Sequence, residues 1–318
     1  MEFTRLGRTG LKVSVTGLGC GGHSRLGQSS GATPGESENV VRAALDLGIN
    51  FIDTAAAYGT EEIVGNALVG RRDDVVLSTK IQIIPKGASP LGQTFKSAQA
   101  FEDEIDTALG RLRTDYIDVL HLHGVMPDQY RHCHETLVPV VRAAQAAGKV
   151  GYLGITERFI HDTRHDMLAE ALNDDLFDVV MAGFNLVNPS ARHRVFAVTN
   201  ENDVGTLIMF AVRRALSNPP AMQALMENLI EEGVIAADGV DRDRPVDFLM
   251  SAGGAQSVVD GAYRFCRHEP GADVVLTGTG SIEHLRENVA SLARGPLAQA
   301  ALARLEDMFG QIDSVSGE

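Results

Sequence analysis

Short apolar runs alternate with longer amphipathic stretches along the chain. Runs such as DVVLSTK and DVVLTGT are almost continuously apolar, which is typical of strands buried on both faces of a parallel sheet. Eight such strands are predicted, at 16–19, 49–54, 74–80, 116–123, 150–156, 178–184, 205–210 and 273–279. Eight strands separated by helices indicate an α/β fold of the (β/α)8 TIM barrel type.

The segments between the strands carry helical patterns. Residues 37–48 and 97–112 have apolar positions at three- and four-residue spacing. Residues 2–14 predict a small β-hairpin that turns at RTG, outside the barrel pattern. A long excursion over residues 213–270 delays the eighth strand, and we expect it to contain some helix of its own. No linker or repeat divides residues 1–318, so a single barrel domain is predicted.

Composition narrows the classes of ligand. The chain has 318 residues, of which 44% are hydrophobic, and this suffices for one large core. Its formal charge of −14 argues against binding to nucleic acid, because phosphate contacts need clustered Lys and Arg. Three widely spaced cysteines suit a reducing compartment, so a cytoplasmic location is expected. No apolar segment of signal-peptide or membrane-spanning type is present, and we expect a small-molecule ligand. The oligomeric state stays open.

Polar residues stand where the predicted strands end, which is where barrels of this type place reactive groups. Asp53, Lys80 and His123 are such residues, and Tyr58 follows Asp53 in the next loop or first helical turn. Taken singly, each has a structural explanation, such as a helix cap or a half-buried tyrosine. Together they form a proton-transfer set. The ammonium of Lys80 would favour the phenolate of Tyr58 and bring its pKa, ordinarily about 10, closer to neutrality. Asp53 would keep Lys80 protonated, and His123 would donate a hydrogen bond to a substrate oxygen.

Several motifs occur in an order that resembles the aldo-keto reductase family over nearly the whole chain. They are FTRLGRTGLKVS, TGLGCGG, GINFIDTAAAYG with EEIVGNAL, LSTK, DYIDVLHLHG, GKVGYLGIT, the FN of AGFNLV, and GTGSIEHLREN. The resemblance implies an oxidoreductase that interconverts a carbonyl compound (aldehyde, ketone or sugar) and its alcohol by hydride transfer with NAD(P)(H). The family's four catalytic residues fall on Asp53, Tyr58, Lys80 and His123, with Tyr58 as the proton donor or acceptor.

The resemblance also implies a cofactor site. The nicotinamide amide would lie near Thr156 and Asn185, and Phe210 would stack on the ring. The dinucleotide phosphates would lie where strand eight meets the next helix, because small residues that open a helix present free N–H groups to an anion. The residues expected there are Gly278, Thr279, Gly280, Ser281, His284 and Asn288.

Some positions depart from the family pattern. Thr156-Glu157 stand where Ser-Asn is usual, and Met181 stands where Gln is usual. Many members place Lys or Arg against the 2′-phosphate, where this chain has Gly278 and His284; Ser281 and Arg286 are further candidates for that contact. NADP(H) is therefore the cofactor that the resemblance implies, while NAD(H) stays possible.

The histidine assignment and the pocket lining need separate arguments. Counting five residues from Asp118, as in the family's strand, selects His123, whereas His121 would lie about 7 Å deeper as a core residue. Gly124-Val125 follow His123 in place of the family's frequent Trp-Pro, and the chain has no Trp. Candidate lining residues are His23, Met126, Phe184 and parts of the 213–270 excursion. The HCH sequence at 132–134 lacks a fourth ligand at a fixed spacing, so no metal is expected.

Two other functions use the same residues. Lys80 could form a Schiff base in a lyase or isomerase, which needs a low lysine pKa that an adjacent Asp53 opposes. The barrel could also bind nucleotide as a sensor or subunit with little turnover, as some relatives of the family do.

Overall fold

The computed structural model describes residues 1–318, and its core is a closed barrel of eight parallel strands. Two further strands form an antiparallel hairpin at the N-terminus. The hairpin strands are β1 (Phe3–Arg5) and β2 (Lys12–Ser14), and the barrel strands are β3 (Thr16–Gly19), β4 (Phe51–Asp53), β5 (Val76–Gln82), β6 (Ile117–Val125), β7 (Val150–Glu157), β8 (Val179–Gly183), β9 (Gly205–Met209) and β10 (Val274–Thr277). Neighbours around the barrel follow chain order, and β10 closes it by pairing with both β9 and β3. The predicted (β/α)8 fold and hairpin are confirmed.

Helices surround the barrel. They are α1 (Pro34–Asp46), α2 (Glu61–Ala67), α3 (Ala98–Leu112), α4 (Tyr130–His132), α5 (Val138–Ala146), α6 (Asp166–Asn173), α7 (Ala197–Glu201), α8 (Arg214–Ser217), α9 (Pro219–Glu231), α10 (Phe248–Ser251), α11 (Val258–Arg267), α12 (Ile282–Leu292) and α13 (Gln299–Phe309). Helix α1 begins where its sequence dictates: Thr33 and Glu36 form a reciprocal capping box, and Pro34 occupies the first turn. None of the helices combines the length and the apolar composition needed to cross a bilayer.

The barrel interior is apolar at one end and polar at the other. Nine buried side chains, including Phe51 of β4, Val76 of β5 and Val119 of β6, form a cluster inside the barrel. Leu6 and Val13 from the hairpin region belong to the same cluster and cover its floor. Because side chains alternate along a strand, the residues two and four positions later face the same interior, nearer the carboxyl ends. This periodicity brings Asp53, Lys80 and His123 to the mouth of the barrel.

Most strand boundaries differ from the sequence prediction by one or two residues, and two of these differences affect the site. Strand β6 extends to Val125, with an irregular register between Leu122 and Val125, so His123 lies inside the strand. Strand β10 ends at Thr277, which leaves Gly278 and Thr279 in the loop before α12. The excursion contains α8, α9 and α10 before α11 leads back to the barrel, as its composition predicted.

Candidate active site

A buried ion pair anchors the mouth of the barrel. Lys80 Nζ donates to Asp53 Oδ2 at 2.5 Å and to the carbonyl oxygen of Thr54 at 2.9 Å. Ser78 Oγ donates to the other carboxylate oxygen of Asp53 at 2.8 Å. The side chains of Lys80 and Asp53 are only 1% and 3% exposed. These contacts leave the ammonium little freedom, so it can act as a fixed positive charge.

Tyr58 lies beside that charge. It ends a 3₁₀ turn, Ala56–Tyr58, immediately after β4 and a short loop. The Lys80 ammonium is 4.9 Å from the centroid of the Tyr58 ring. The His123 ring meets the tyrosine edge-on, with ring centroids 5.6 Å apart. Gly21 makes room for the phenol, since a Cβ there would lie 2.5 Å from the ring. The structure thus brings together the four residues that the sequence assigned to catalysis.

The protonation of Tyr58 differs from the sequence expectation. Burial raises the pKa of the Tyr58 phenol, and the Lys80 ammonium, which lowers it, offsets only part of this effect. The net pKa lies above its ordinary value, so the expectation that it moves towards neutrality was wrong. Burial lowers the pKa of Lys80, but Asp53 and Tyr58 outweigh this and the net pKa is raised. In the free protein Tyr58 is therefore a neutral phenol beside a stable ammonium.

The two histidines of β6 are both neutral. Burial and the Lys80 charge hold the pKa values of His121 and His123 well below the usual range. The His123 ring contacts Tyr58, as described above, whereas His121 is fully buried and neither of its ring nitrogens has a hydrogen-bond partner. Gly154 accommodates His121, since a Cβ there would lie 2.2 Å from Nδ1. His121 is thus a packed interior residue, as the strand spacing predicted.

An open cleft of about 1210 Å³ runs from Tyr58 to the start of α12. It is larger than the usual small-molecule pocket, so it has room for an extended ligand together with a second small molecule. Several predicted cofactor residues line it, namely Phe210, Gly278, Thr279, His284 and Asn288. His23 also lines the cleft, as do residues of the excursion such as Ser217 and Gln256.

Other predicted cofactor residues have side chains that are already engaged. Thr156 Oγ1 accepts a hydrogen bond from the Gly124 N–H at 2.8 Å. Asn185 donates to the carbonyl oxygens of Phe210 and Ser316 and accepts from two backbone N–H groups of its own turn. Asn288, which also lines the cleft, donates at 2.8 Å to Oγ1 of Thr277, the last residue of β10.

The segment at the start of α12 is tightly packed. Ser281 caps the helix, and its hydroxyl accepts from the N–H of His284. Gly280 touches a neighbouring loop: a Cβ at this position would lie 2.3 Å from the Gly27 Cα. Ser281 thus fixes the helix start, and Gly280 lets a second backbone approach it.

Glu157, which stands where the family usually has Asn, has a hydrogen-bond partner that the sequence did not reveal. Its carboxylate lies 2.9 Å from His165 Nδ1 and accepts from the Gly183 N–H at 2.8 Å, with both side chains fully buried. Burial raises the pKa of Glu157, and His165 opposes it. The Glu157 carboxylate is therefore held between the barrel strands and the surrounding helices. Phe184, one of the candidate lining residues, packs against Phe196 and Phe265 in the layer between strands and helices and is therefore a packing residue.

The segment Asp313–Glu318 lies across the mouth of the barrel, and no sequence pattern predicted this. Asn188 donates to the Val315 carbonyl at 2.7 Å, and the Ala215 N–H donates to the Gly317 carbonyl at 3.0 Å. The Glu318 carboxylate pairs with Arg213 and lies 3.3 Å from His23 Nε2. This segment therefore joins the loops after β3, β8 and β9. No group of three or more His, Cys, Asp or Glu side chains is arranged to hold a metal ion.

Comparisons with known proteins place the chain in a family. The model described as "Aldo/keto reductase family" matches residues 18–309. The chain is 30% identical to "Aldo-keto reductase YhdN" of Bacillus subtilis over 90% of this chain and 88% of that protein. It is 26% identical to "Probable voltage-gated potassium channel subunit beta" of Arabidopsis thaliana over 93% of each chain. The crystal structure of an aldo/keto reductase from Klebsiella pneumoniae in complex with NADP and acetate has a TM-score of 0.68, with 21% identity, and the match covers 98% of this chain and 97% of that one.

Proposed function

Because the chain belongs to the aldo/keto reductase family, a family of oxidoreductases, we propose that it interconverts a carbonyl compound and the corresponding alcohol, with NADP(H) as cofactor. The observation that carries this proposal is the convergence of Tyr58 on the Lys80–Asp53 pair and on His123. Aldehydes, ketones and sugars all offer the carbonyl oxygen that such a site polarises.

The cleft fits an extended dinucleotide. Its far end reaches the start of α12, where backbone N–H groups favour an anion. A Cβ on Gly278 would lie 3.0 Å from the Gly19 carbonyl oxygen. The absence of a side chain at Gly278 therefore lets the ends of β10 and β3 lie close together and keeps the loop before α12 open. Phe210 lines the same cleft and is the residue we propose to contact the nicotinamide. In the free protein the Arg213 guanidinium lies over its ring, 4.1 Å from the centroid. His284, which is exposed on α12, is the residue we propose for a 2′-phosphate. A bound nicotinamide supplies or accepts the hydride.

The protein's own residues handle the proton. Tyr58, kept as a neutral phenol by burial, donates its proton to the carbonyl oxygen during reduction. Neutral His123 orients the same oxygen through a hydrogen bond, while the Lys80 ammonium stabilises the phenolate that remains on Tyr58. Asp53 holds Lys80 in its charged form. An amine kept protonated in this way is a poor nucleophile, which argues against a Schiff-base lyase.

A second function is favoured by one specific observation. A relative that matches nearly the whole chain is named as a probable potassium channel subunit, so a nucleotide-binding subunit with little turnover is the alternative.

The Tyr58→Phe variant separates the two functions. We expect it to bind NADPH as the wild type does and to lose about 10²- to 10⁴-fold in kcat on aldehyde and sugar substrates, because only the proton donor is missing. Binding is best followed by cofactor fluorescence, since the chain has no Trp. Tyr116→Phe, at a tyrosine 36% exposed outside the cleft, is the matched control and should keep full activity. Tight NADPH binding with negligible turnover in wild type and variant alike would establish the subunit function, and failure to bind NADPH or NADH would refute both.

A further inference from the structure

Arg158 is an arginine without a partner beside the candidate active site. Most arginines of this chain pair with a carboxylate, and the unpaired ones elsewhere are solvent-exposed, namely Arg25, Arg113, Arg214, Arg242, Arg286 and Arg304. Arg158 is only partly exposed, forms no ion pair or hydrogen bond, and has a buried Nε without any partner. In a chain with 42 acidic and 28 basic residues, an unneutralised guanidinium of this kind needs an explanation.

The guanidinium lies against the residue that follows His123. Arg158 comes directly after β7, and a Cβ on Gly124 would lie 3.1 Å from its Nη2 and 3.5 Å from its Cζ. Gly124 also has a φ of +66°, which favours glycine. The backbone at this point therefore leaves a space next to His123 that the guanidinium fills. Burial lowers the pKa of His123 most, and the Lys80 and Arg158 charges lower it further, in keeping with this proximity.

The Nε of Arg158 is removed from water without a partner, which is unfavourable, and an anion bound to the partly exposed guanidinium would offset part of this cost. The chain supplies none to Arg158. Lys96, the other cation on this side, is already paired with Glu104 at 2.7 Å. We propose that Arg158 binds a carboxylate on the substrate, so that the enzyme acts on aldehydes or ketones that also carry a carboxylate. This inference rests on the function proposed above and names its substrate class.

A carboxylate fits the site better than a phosphate monoester. One guanidinium offers one positive charge and a planar pair of N–H donors, which match the single charge and two oxygens of a carboxylate. A phosphate monoester carries nearly two charges at neutral pH, and no second unpaired cation lies beside His123 to meet it.

The experiment compares two aldehydes of nearly equal shape, 4-formylbenzoate and its uncharged amide, 4-formylbenzamide. The wild type should reduce the carboxylate with the higher kcat/KM. In Arg158→Met the kcat/KM for 4-formylbenzoate should fall roughly tenfold to hundredfold, mainly through KM, because a hydrogen-bonded charge contact is lost. The kcat/KM for 4-formylbenzamide should be unchanged. Arg158→Lys should recover part of the loss, since lysine keeps the positive charge but lacks the planar pair of N–H donors.

Arg242→Met is the control, because Arg242 is also unpaired but lies exposed in the excursion. It should leave both aldehydes unaffected. Equal losses on the two aldehydes in Arg158→Met, or no preference for the carboxylate in the wild type, would overturn the proposal. Calorimetric binding of benzoate and benzamide supplies a readout without turnover. If the protein reduces neither aldehyde, the proposed reductase function fails, and selective loss of benzoate binding in Arg158→Met still establishes the carboxylate site.

Discussion

The phenol of Tyr58 experiences two opposing influences, and their balance sets its protonation state. Burial favours the neutral phenol, while the ammonium of Lys80 favours the phenolate, and the neutral form is the more stable in the free protein. In the proposed reaction, reduction of a carbonyl would use the neutral phenol as a proton donor, and oxidation of an alcohol would use the phenolate as the base.

The pH dependence of the two directions should therefore have opposite signs. Because the pKa of Tyr58 is raised above its ordinary value, the donor stays protonated across pH 6 to 9, and kcat/KM for reduction should be nearly flat there. The phenolate fraction grows about tenfold with each pH unit below that pKa, so kcat/KM for oxidation should rise with pH throughout the range. Paired pH profiles of one aldehyde and its alcohol test this. A fall in the reductive kcat/KM near pH 7 would mean that Lys80 outweighs burial.

At the level of single residues, the sequence predicted which catalytic side chains lie together, but it did not predict the hydrogen-bond partners of other buried polar side chains. Asp53 and Lys80 could be predicted because strand periodicity and strand ends place them at one mouth. The partner of Glu157 could not, since His165 reaches it from a turn before α6, and only the folded chain brings the two together. Asn185 illustrates the same limit, because its amide donates to Ser316, 131 positions along the chain.

At the level of elements, the start of α12 depends on contact between two loops. The 3₁₀ segment Arg25–Ser30 includes Leu26 and Gly27, which have positive φ angles of 58° and 91°. Gly27 lies directly against Gly280, where a Cβ would be 2.3 Å from its Cα and 2.5 Å from its N. The absence of a side chain at Gly280 thus lets the loop after β3 pack against the start of α12.

We expect Gly280→Ala to disturb this contact. One of the two backbones must shift to admit the methyl group, so the free energy of unfolding should fall by about 1–3 kcal/mol. NADPH binding should also weaken, because the N-terminus of α12 is displaced. Gly35→Ala in α1 is the matched control, since a Cβ there meets nothing within 4 Å and alanine favours a helix. Urea unfolding and cofactor fluorescence measure the two effects. Equal free energies of unfolding for the two variants would show that the loop after β3 can move aside without loss of stability.

The barrel strands were predictable because each is short, apolar and buried on both faces, so that composition alone marks it. The segment Asp313–Glu318 was not, because VSGE carries no periodic pattern and its position depends on Asn188, Arg213 and other distant groups. The same holds for the extension of β6 to Val125, where pairing with β7 continues beyond a register irregularity. Elements held by local pattern can be predicted, whereas elements held by distant polar contacts cannot.

At the level of the whole molecule, one apolar cluster links nearly all parts of the chain. It contains 74 buried residues, from Leu18 in the first barrel strand to Ile312 after the last helix. Residues of the excursion, among them Met222 and Leu249, belong to the same cluster. The excursion is therefore packed on the barrel and shares its core.

This continuity predicts one cooperative unfolding transition in which the excursion and the barrel unfold together. Leu249→Ala, at a fully buried position in α10, should lower the stability of the entire chain by about 2–5 kcal/mol and shift a single transition to lower denaturant concentration. Leu91→Ala, at a leucine that is 47% exposed, should leave the transition in place. Far-ultraviolet circular dichroism and tyrosine fluorescence should coincide for all three proteins, because tyrosines such as Tyr58 and Tyr130 report on the barrel and Tyr263 on α11. A separate early transition in Leu249→Ala would instead make the excursion an independent folding unit, whose loss would remove one wall of the cleft and leave the Lys80–Asp53 pair on the barrel.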